Sequence, residues 1–87
     1  MFVILSYDVQ ASRSARIAKT VKKYLTYMQR SLYQGYLTEK QLHRLQEELL
    51  PQIDPEYDSI IVYRLENERN ISVDKIGVGK ERGAFIF

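Results

Sequence analysis

Phe2-Val3-Ile4-Leu5-Ser6-Tyr7-Asp8 is the stretch that decides the fold of this 87-residue chain. Residues 2–7 carry no charge and are mostly apolar, which predicts a strand buried on both faces. The run ends at Asp8, the only acidic residue among positions 1–38. The sequence therefore predicts a central strand with a lone carboxylate at its end, where an acid can serve as a metal ligand or as a helix cap.

A basic amphipathic helix is predicted after this strand, with Ser12 or Ser14 as its N-cap. Apolar residues recur at helical spacing and predict the buried face of the helix. These residues are Ile17, Val21, Tyr24, Leu25 and Met28. Lys19, Lys22 and Lys23 fall on the opposite arc, so we expect the basic side chains to face outward together.

Five further elements are predicted along the chain. Residues 29–36 indicate a second strand, in which Gly35 suggests a bulge or a close backbone approach. The segment from Thr38 to Gln41 matches a capping box and begins a second helix. The buried stripe of that helix is Leu42, Leu45 and Leu49. Residues 59–65 predict an apolar strand, residues 71–78 an irregular strand, and residues 84–87 a short terminal strand.

Together these elements predict one α+β domain over residues 1–87, with the ferredoxin-like order β-α-β-β-α-β and a short additional C-terminal strand. Two helices cover only one face of an antiparallel sheet. The other face would be a large exposed apolar patch, so we expect a second copy to pack against it. The sequence thus predicts a homodimer, with the terminal strand added to an edge strand of its own chain or of its partner.

Composition excludes several kinds of chemistry. The chain has no cysteine, which excludes disulfides and thiol nucleophiles. His43 is the only histidine, and a catalytic triad or zinc site would need partners that the chain does not supply. Gly77-Val78-Gly79 lacks the third glycine of a nucleotide-binding loop. No apolar run approaches the ~18 residues that span a membrane, so we expect a soluble, cytoplasmic protein.

Charge is distributed unevenly along the chain. Residues 1–37 carry six basic residues and one acidic residue, whereas residues 38–58 carry two basic and six acidic residues. A basic first half fits a polyanion such as DNA or RNA bound on one face. An ordinary solvated basic helix explains the same pattern, because surface Lys and Arg are common.

Asp8 is the candidate catalytic residue and metal ligand. Mg²⁺, or Mn²⁺ in its place, prefers oxygen ligands and keeps several waters, so one or two carboxylates hold it. One Asp is a weak site, but two copies meeting at a two-fold axis would make a credible one. Alternatively, Asp8 caps the first helix or pairs with Arg13 or Arg16.

Two further segments carry polar candidates. Arg30 is suited to bind a phosphate with two hydrogen bonds, and Ser31 lies beside it. Tyr7 either stacks on a base or fills the core.

The whole chain resembles the CRISPR-associated protein Two family, the small adaptation subunit of CRISPR systems. The resemblance rests on the order and spacing of several segments rather than on one motif. These segments are Tyr7-Asp8-Val9, the basic helix with Arg13, Arg16 and Lys19, the run Gln29 to Gly35, the Leu-rich acidic helix after Leu37-Thr38, and Tyr63-Arg64-Leu65.

This resemblance implies a ferredoxin-like homodimer whose C-terminal strand crosses to the partner's sheet. It also implies a metal-dependent phosphodiesterase acting on RNA or double-stranded DNA, with Asp8 from each chain holding Mg²⁺. Tyr7, Arg13, Arg16 and Arg30 match the surrounding polar and basic positions of the family. The resemblance further implies a scaffold role, in which the protein bridges two dimers of the CRISPR integrase and supports a DNA duplex without needing to cut it.

Two departures from the family pattern favour the scaffold role over hydrolysis. The second strand reads Ser31-Leu32-Tyr33-Gln34, where the family often has an acid at the last position. The segment Gln10-Ala11-Ser12 lacks the second acid of some members. Asp8 therefore has no helper carboxylate from these two segments. A small ferredoxin-like domain that binds a metabolite or a peptide is a third reading of the sequence.

Overall fold

The computed structural model describes residues 1–67 and residue 69. Within these residues the elements follow the order β-α-β-β-α-β. They are β1 (Phe2–Asp8), α1 (Ala11–Val21), β2 (Thr26–Gln29), β3 (Leu32–Tyr36), α2 (Glu39–Leu49), a one-turn 3₁₀ helix (Leu50–Gln52) and β4 (Ser59–Leu65). The strands form one antiparallel sheet in the order β2-β3-β1-β4. This arrangement confirms the predicted ferredoxin-like α+β fold.

β1 lies in the middle of the sheet, between β3 and β4. Its residues Phe2, Val3, Ile4 and Leu5 are at most 3% exposed. The prediction of a strand buried on both faces is therefore confirmed. β1 pairs with β3 as far as Ser6 and with β4 as far as Asp8, so among the described strands the residue at its end is held by β4 alone.

Both helices pack on one face of the sheet, where Val3, Leu5 and Tyr7 of β1 point. The helical partners in this core are Ile17, Val21, Leu42, Leu45 and Leu49. On the opposite face, Phe2, Ile4 and Leu32 form a second, smaller cluster. Ile61 lies on this face too, since it pairs with Ser6 in the β1–β4 ladder, and it is 50% exposed.

The prediction of a single strand over residues 29–36 is wrong. The segment belongs to a hairpin, in which β2 and β3 are joined by the turn residues Arg30 and Ser31. The irregularity in pairing lies between Tyr27 and Gln29 rather than at Gly35. The close neighbour of Gly35 is a side chain and not the expected backbone: a Cβ atom there would lie 3.2 Å from Leu25 Cδ2 but 3.8 Å from the Leu25 Cα atom.

This hairpin supplies the two adjacent strands in the middle of the element order. The expected strands at residues 71–78 and 84–87 lie outside the described residues, as does the turn expected at Gly77–Gly79. The order β-α-β-β-α-β is thus already complete at β4.

The first helix also differs from its prediction. Its N-cap is Gln10, whose side chain makes no capping hydrogen bond, and Ser12 and Ser14 lie inside the helix instead. The helix ends at Val21, before the last members of its predicted apolar stripe. Leu25 still packs into the core from the turn that follows. An apolar side chain reaches the core from a turn as well as from a helix, so the spacing alone overestimated the length.

The second helix agrees with its prediction. The Thr38 hydroxyl accepts a hydrogen bond from the Gln41 amide, and the Gln41 side chain accepts one from the Thr38 amide. This is the expected capping box, and Leu42, Leu45 and Leu49 form the buried stripe.

Candidate metal and nucleic-acid site

Asp8 occupies the last position of β1, opposite Ser59, the first residue of β4. Its side chain is exposed. Within residues 1–67 and 69 its carboxylate makes no hydrogen bond and no ion pair. Neither structural alternative for Asp8 is realised there, because Arg13 pairs with another acid, Arg16 makes no ion pair, and Gln10 rather than Asp8 is the N-cap of α1.

The β2–β3 turn reaches the same end of the sheet as Asp8. The amide of Tyr7 donates a hydrogen bond of 3.1 Å to the carbonyl of Ser31. Arg30 is exposed, and its amide donates to the Tyr27 hydroxyl at 2.7 Å. The structure therefore brings together Asp8, Arg30 and Ser31, three residues selected from the sequence, at one end of the sheet.

Tyr7 fills the core beneath this end. Its side chain is buried, and its ring stacks on that of Tyr33 with centroids 6.1 Å apart. Burial, together with the hydrogen bond to Tyr33, raises the pKa of Tyr7 to about 12. Of the two roles left open for Tyr7, the structure shows the core-filling one, and contact with nucleic acid remains a prediction.

Asp58 is an important residue that the sequence analysis did not select. Its carboxylate is completely buried at the start of β4. It accepts hydrogen bonds from Arg13 Nε at 2.5 Å, Arg13 Nη2 at 2.9 Å, the Asp54 amide at 2.8 Å and the Gln10 amide at 3.0 Å. The Arg13 guanidinium, followed by the two backbone amides, holds the pKa of Asp58 far below its ordinary value despite burial.

The pairing of Arg13 with Asp58 changes the interpretation of Arg13. The hydrogen bond to Asp58 raises the pKa of the guanidinium, and the side chain is only 21% exposed. The sequence signal for this pair is weak, since it consists of an acid directly before an apolar strand. Arg13 and Asp58 are 45 positions apart, so no local spacing pattern in the sequence predicts that they pair. A nucleic-acid contact by Arg13 remains a prediction.

The predicted basic face is divided by the structure. Arg16 and Lys19 are exposed on α1, three residues apart and therefore on one side of the helix, and Lys22 is exposed just beyond it. These three side chains make no ion pair with the described part of the chain. Lys23 instead pairs with Glu48 of α2, which raises the pKa of Lys23 and lowers that of Glu48.

The described residues of one chain do not supply enough ligands for a complete metal site. Among the described residues no three His, Cys, Asp or Glu side chains cluster in a way that could hold a metal. Asp8 nevertheless offers an exposed carboxylate with no competing partner among these residues, and Mg²⁺ with its retained waters needs only one or two such ligands. The donor type therefore fits Mg²⁺, and a second Asp8 from another subunit would complete the pair.

Comparison with known proteins identifies the family of the chain. The model of the family described as CRISPR associated protein Cas2 matches residues 1–72. The chain belongs to the Cas2 family. It is 40% identical over 78 residues to the CRISPR-associated endoribonuclease Cas2 of Frankia alni, and the match covers 90% of each chain. It is 34% identical to the corresponding Thermotoga maritima protein over the full length of both chains.

Solved structures of the Cas2 family share the fold. A crystal structure of Cas2 with 32% sequence identity superimposes with a TM-score of 0.84 and covers 92% of this chain and 90% of its own. The Streptococcus pyogenes Cas2 structure at pH 6.5 has a TM-score of 0.78 at 26% identity, covering 88% and 100% of the two chains. In the described part of this Cas2 chain, no helix is long and apolar enough to cross a membrane.

Proposed function

We propose that this Cas2 chain acts in CRISPR adaptation, in the cytoplasm, as a homodimeric, Mg²⁺-dependent endonuclease that uses Asp8 from both subunits. The observation that carries the proposal is the exposed Asp8 carboxylate, which has no partner among the described residues and ends the central strand. An exposed carboxylate with no partner of its own is open to a hydrated divalent cation, which needs only one or two such ligands. A cation supplied from solution is the counter-charge that fits here.

The substrate class follows from the surrounding charge and from the relatives. Arg16, Lys19 and Arg30 are exposed and unpaired within the described residues, so they are available to phosphates. The similar proteins of Frankia alni and Thermotoga maritima are named endoribonucleases. We therefore propose a phosphodiester substrate, either RNA or double-stranded DNA.

Each residue at this end of the sheet has a defined part in the proposed mechanism. When bound, Mg²⁺ supplies an acidified water and neutralises charge on the scissile phosphate. Asp8 would hold the cation, Arg30 would bind a phosphate through its planar fork, and Ser31 beside it would donate a hydrogen bond. Arg16 and Lys19 hold the neighbouring backbone of the nucleic acid.

The test is Asp8→Asn, assayed on RNA and on double-stranded DNA with Mg²⁺ or Mn²⁺. We expect cleavage to fall by about 100-fold or more, because several kcal/mol of transition-state stabilisation depend on the cation. Glu56→Gln is the matched control, since it removes an exposed carboxylate from another loop and should leave the rate unchanged. Cleavage by Asp8→Asn at the wild-type rate would refute the assigned role.

A second function is favoured by the exposed face of α1. Arg16 and Lys19 form a basic surface away from the sheet, which suits a scaffold that binds duplex backbone between integrase dimers without cutting it. Binding of this kind weakens with salt by a slope of about 0.9 per phosphate neutralised.

The scaffold function is tested by Arg16→Gln combined with Lys19→Gln. We expect the slope of log affinity against log salt concentration to become shallower by the amount for about two neutralised phosphates. Lys23→Gln is the control, because Lys23 is already paired with Glu48 and should contribute much less. An unchanged slope in the double variant would exclude this face.

A further inference from the structure

We propose that Asp58 is the positioning residue of the Asp8 site, because its buried carboxylate fixes the segment 8–10 in one geometry. This inference rests on the proposed function, in which two Asp8 carboxylates must be presented at a defined separation. Asp58 itself need not touch a metal or a substrate. Its role is to hold the backbone that carries the ligand.

The segment 8–10 is held at both of its ends by the start of β4. Asp8 pairs with Ser59 in the β1–β4 ladder. Two residues later, the Gln10 amide donates to Asp58 Oδ1 at 3.0 Å. Asp58 and Ser59 are adjacent, so the junction between the loop and β4 fixes both the end of β1 and the beginning of α1. The position of Asp8 is therefore defined relative to β4 and not only by β1.

Arg13 of α1 binds the same carboxylate and so joins the helix to Asp58. Its guanidinium donates two hydrogen bonds to the Asp58 carboxylate, at 2.5 and 2.9 Å. Gln10 provides no side-chain cap for α1, and the buried Asp58, directly before β4, lies at the helix N-terminus instead. A negative charge is favourable at that position. The same carboxylate thus anchors the first turn of α1 and the segment that leads to it.

The third anchor of Asp58 lies in its own loop. The Asp54 amide donates to Asp58 Oδ2 at 2.8 Å, which ties the residues before β4 to the same carboxylate. Donors from three parts of the chain therefore meet at one acid: the β1–α1 connection, α1 and the loop before β4. Substitution of Asp58 should remove the hydrogen bond that holds the Gln10 end of segment 8–10, while β1 stays paired in the sheet.

Mn²⁺ binding separates positioning from simple stabilisation. A purely structural role for Asp58 would lower the unfolding temperature and leave the metal affinity of the folded protein unchanged. Residues that orient a metal ligand typically change metal affinity by about 10- to 100-fold when they are replaced. The Mn²⁺ dissociation constant, measured by electron paramagnetic resonance on the intact protein below its unfolding temperature, distinguishes the two roles without relying on cleavage.

The experiment compares Asp58→Asn with wild type, Asp8→Asn and Glu56→Gln. We expect Asp58→Asn to weaken Mn²⁺ binding about tenfold or more while circular dichroism shows a folded protein. Glu56→Gln, an exposed acid of the same loop, should bind Mn²⁺ as wild type does. If Asp58→Asn does not fold, Arg13→Lys carries the same expectation, because it keeps the charge and loses the planar fork.

The outcomes are distinct for the two proposals. Wild-type Mn²⁺ affinity in a folded Asp58→Asn or Arg13→Lys variant, with Asp8→Asn defective, would overturn the positioning role and leave the proposed function intact. Wild-type affinity in Asp8→Asn would overturn the proposed metal site itself. Loss of affinity in both Asp8→Asn and Asp58→Asn supports the positioning role.

Discussion

Arg30 has a backbone φ of 47°, and it is the one non-glycine residue in the described part of the chain with a positive φ. Residues with a Cβ atom adopt this left-handed conformation at a cost of about 1–2 kcal/mol. The turn is nevertheless held in place by the bond between the Arg30 amide and the Tyr27 hydroxyl. A strained arginine at the tip of a hairpin beside Asp8 suggests that its side chain is retained for binding.

Arg30→Gly should therefore stabilise the fold and weaken nucleic-acid binding. Relief of the strain, less the added freedom of glycine in the unfolded chain, amounts to roughly 0.5–1 kcal/mol. Thermal unfolding should move upward by about 2–8 °C. Arg30→Lys is the matched control, because it keeps the strain and should leave the unfolding temperature nearly unchanged. A lower unfolding temperature for Arg30→Gly would contradict this account of the turn.

The lowered pKa of Asp58 predicts how the free energy of unfolding depends on pH. Since the folded state lowers its pKa, the ionised carboxylate contributes stability above the unfolded pKa of about 4. That contribution is lost as the pH falls through the lower, folded pKa. The difference in unfolding temperature between wild type and Asp58→Asn should be largest near pH 7 and shrink from pH 4 downward. Glu56→Gln should show no such convergence, and a constant difference for Asp58→Asn would be evidence against the ion pair.

At this scale the sequence revealed Asp8 but not Asp58. Asp8 stands out because it is the only acid in a basic half-chain, which is visible without a structure. Asp58 is one of six acids within residues 38–58, so composition gives it no distinction. Its importance comes from donors that are distant in sequence, and only the folded chain brings them together.

The helices illustrate which element signals are reliable. The capping box of α2 was predicted because its two hydrogen bonds lie within four residues. The end of α1 and the β2–β3 hairpin were missed. Arg30 and Ser31 do not have the Asn-Gly or Asp-Gly sequence that marks most two-residue turns. The capping box could be derived because its sequence motif is explicit, whereas a hairpin whose turn lacks a recognised turn sequence could not.

Thr38→Ala tests the cap of α2. The loss of the Thr38 hydroxyl leaves the Gln41 amide without its partner, and we expect a destabilisation of about 1 kcal/mol in urea unfolding. Ser12→Ala is the control at the other helix, because Ser12 lies inside α1 and provides no cap. It should cost nothing measurable. An equal loss of unfolding free energy in both variants would mean that the Thr38 hydrogen bond does not stabilise α2.

For the whole molecule, the sequence predicted a large exposed apolar sheet face, but Phe2 and Ile4 on that face are already buried, so we expect a dimer contact at the exposed Ile61. Ile61 is 50% exposed on the face that carries Phe2 and Ile4. Sedimentation equilibrium should give about twice the chain mass of 10.3 kDa. Ile61→Asp should shift the protein toward monomers, because a charge would be buried in the contact. Ala15→Asp, on the exposed side of α1, should remain dimeric. A dimeric Ile61→Asp protein would place the contact elsewhere.

Because β1 pairs with a strand made much later, it must wait during synthesis for its partner. The Gln10–Asp58 bond joins residues 48 positions apart, and a ribosome adds about 5–20 residues per second. Roughly 3–10 seconds therefore pass between the synthesis of Asp8 and that of the strand that fixes it. During this interval the edge of β1 that will pair with β4 has no strand beside it. A nascent chain thus carries its candidate metal ligand long before it can present it, so the activity would begin only when β4 has emerged.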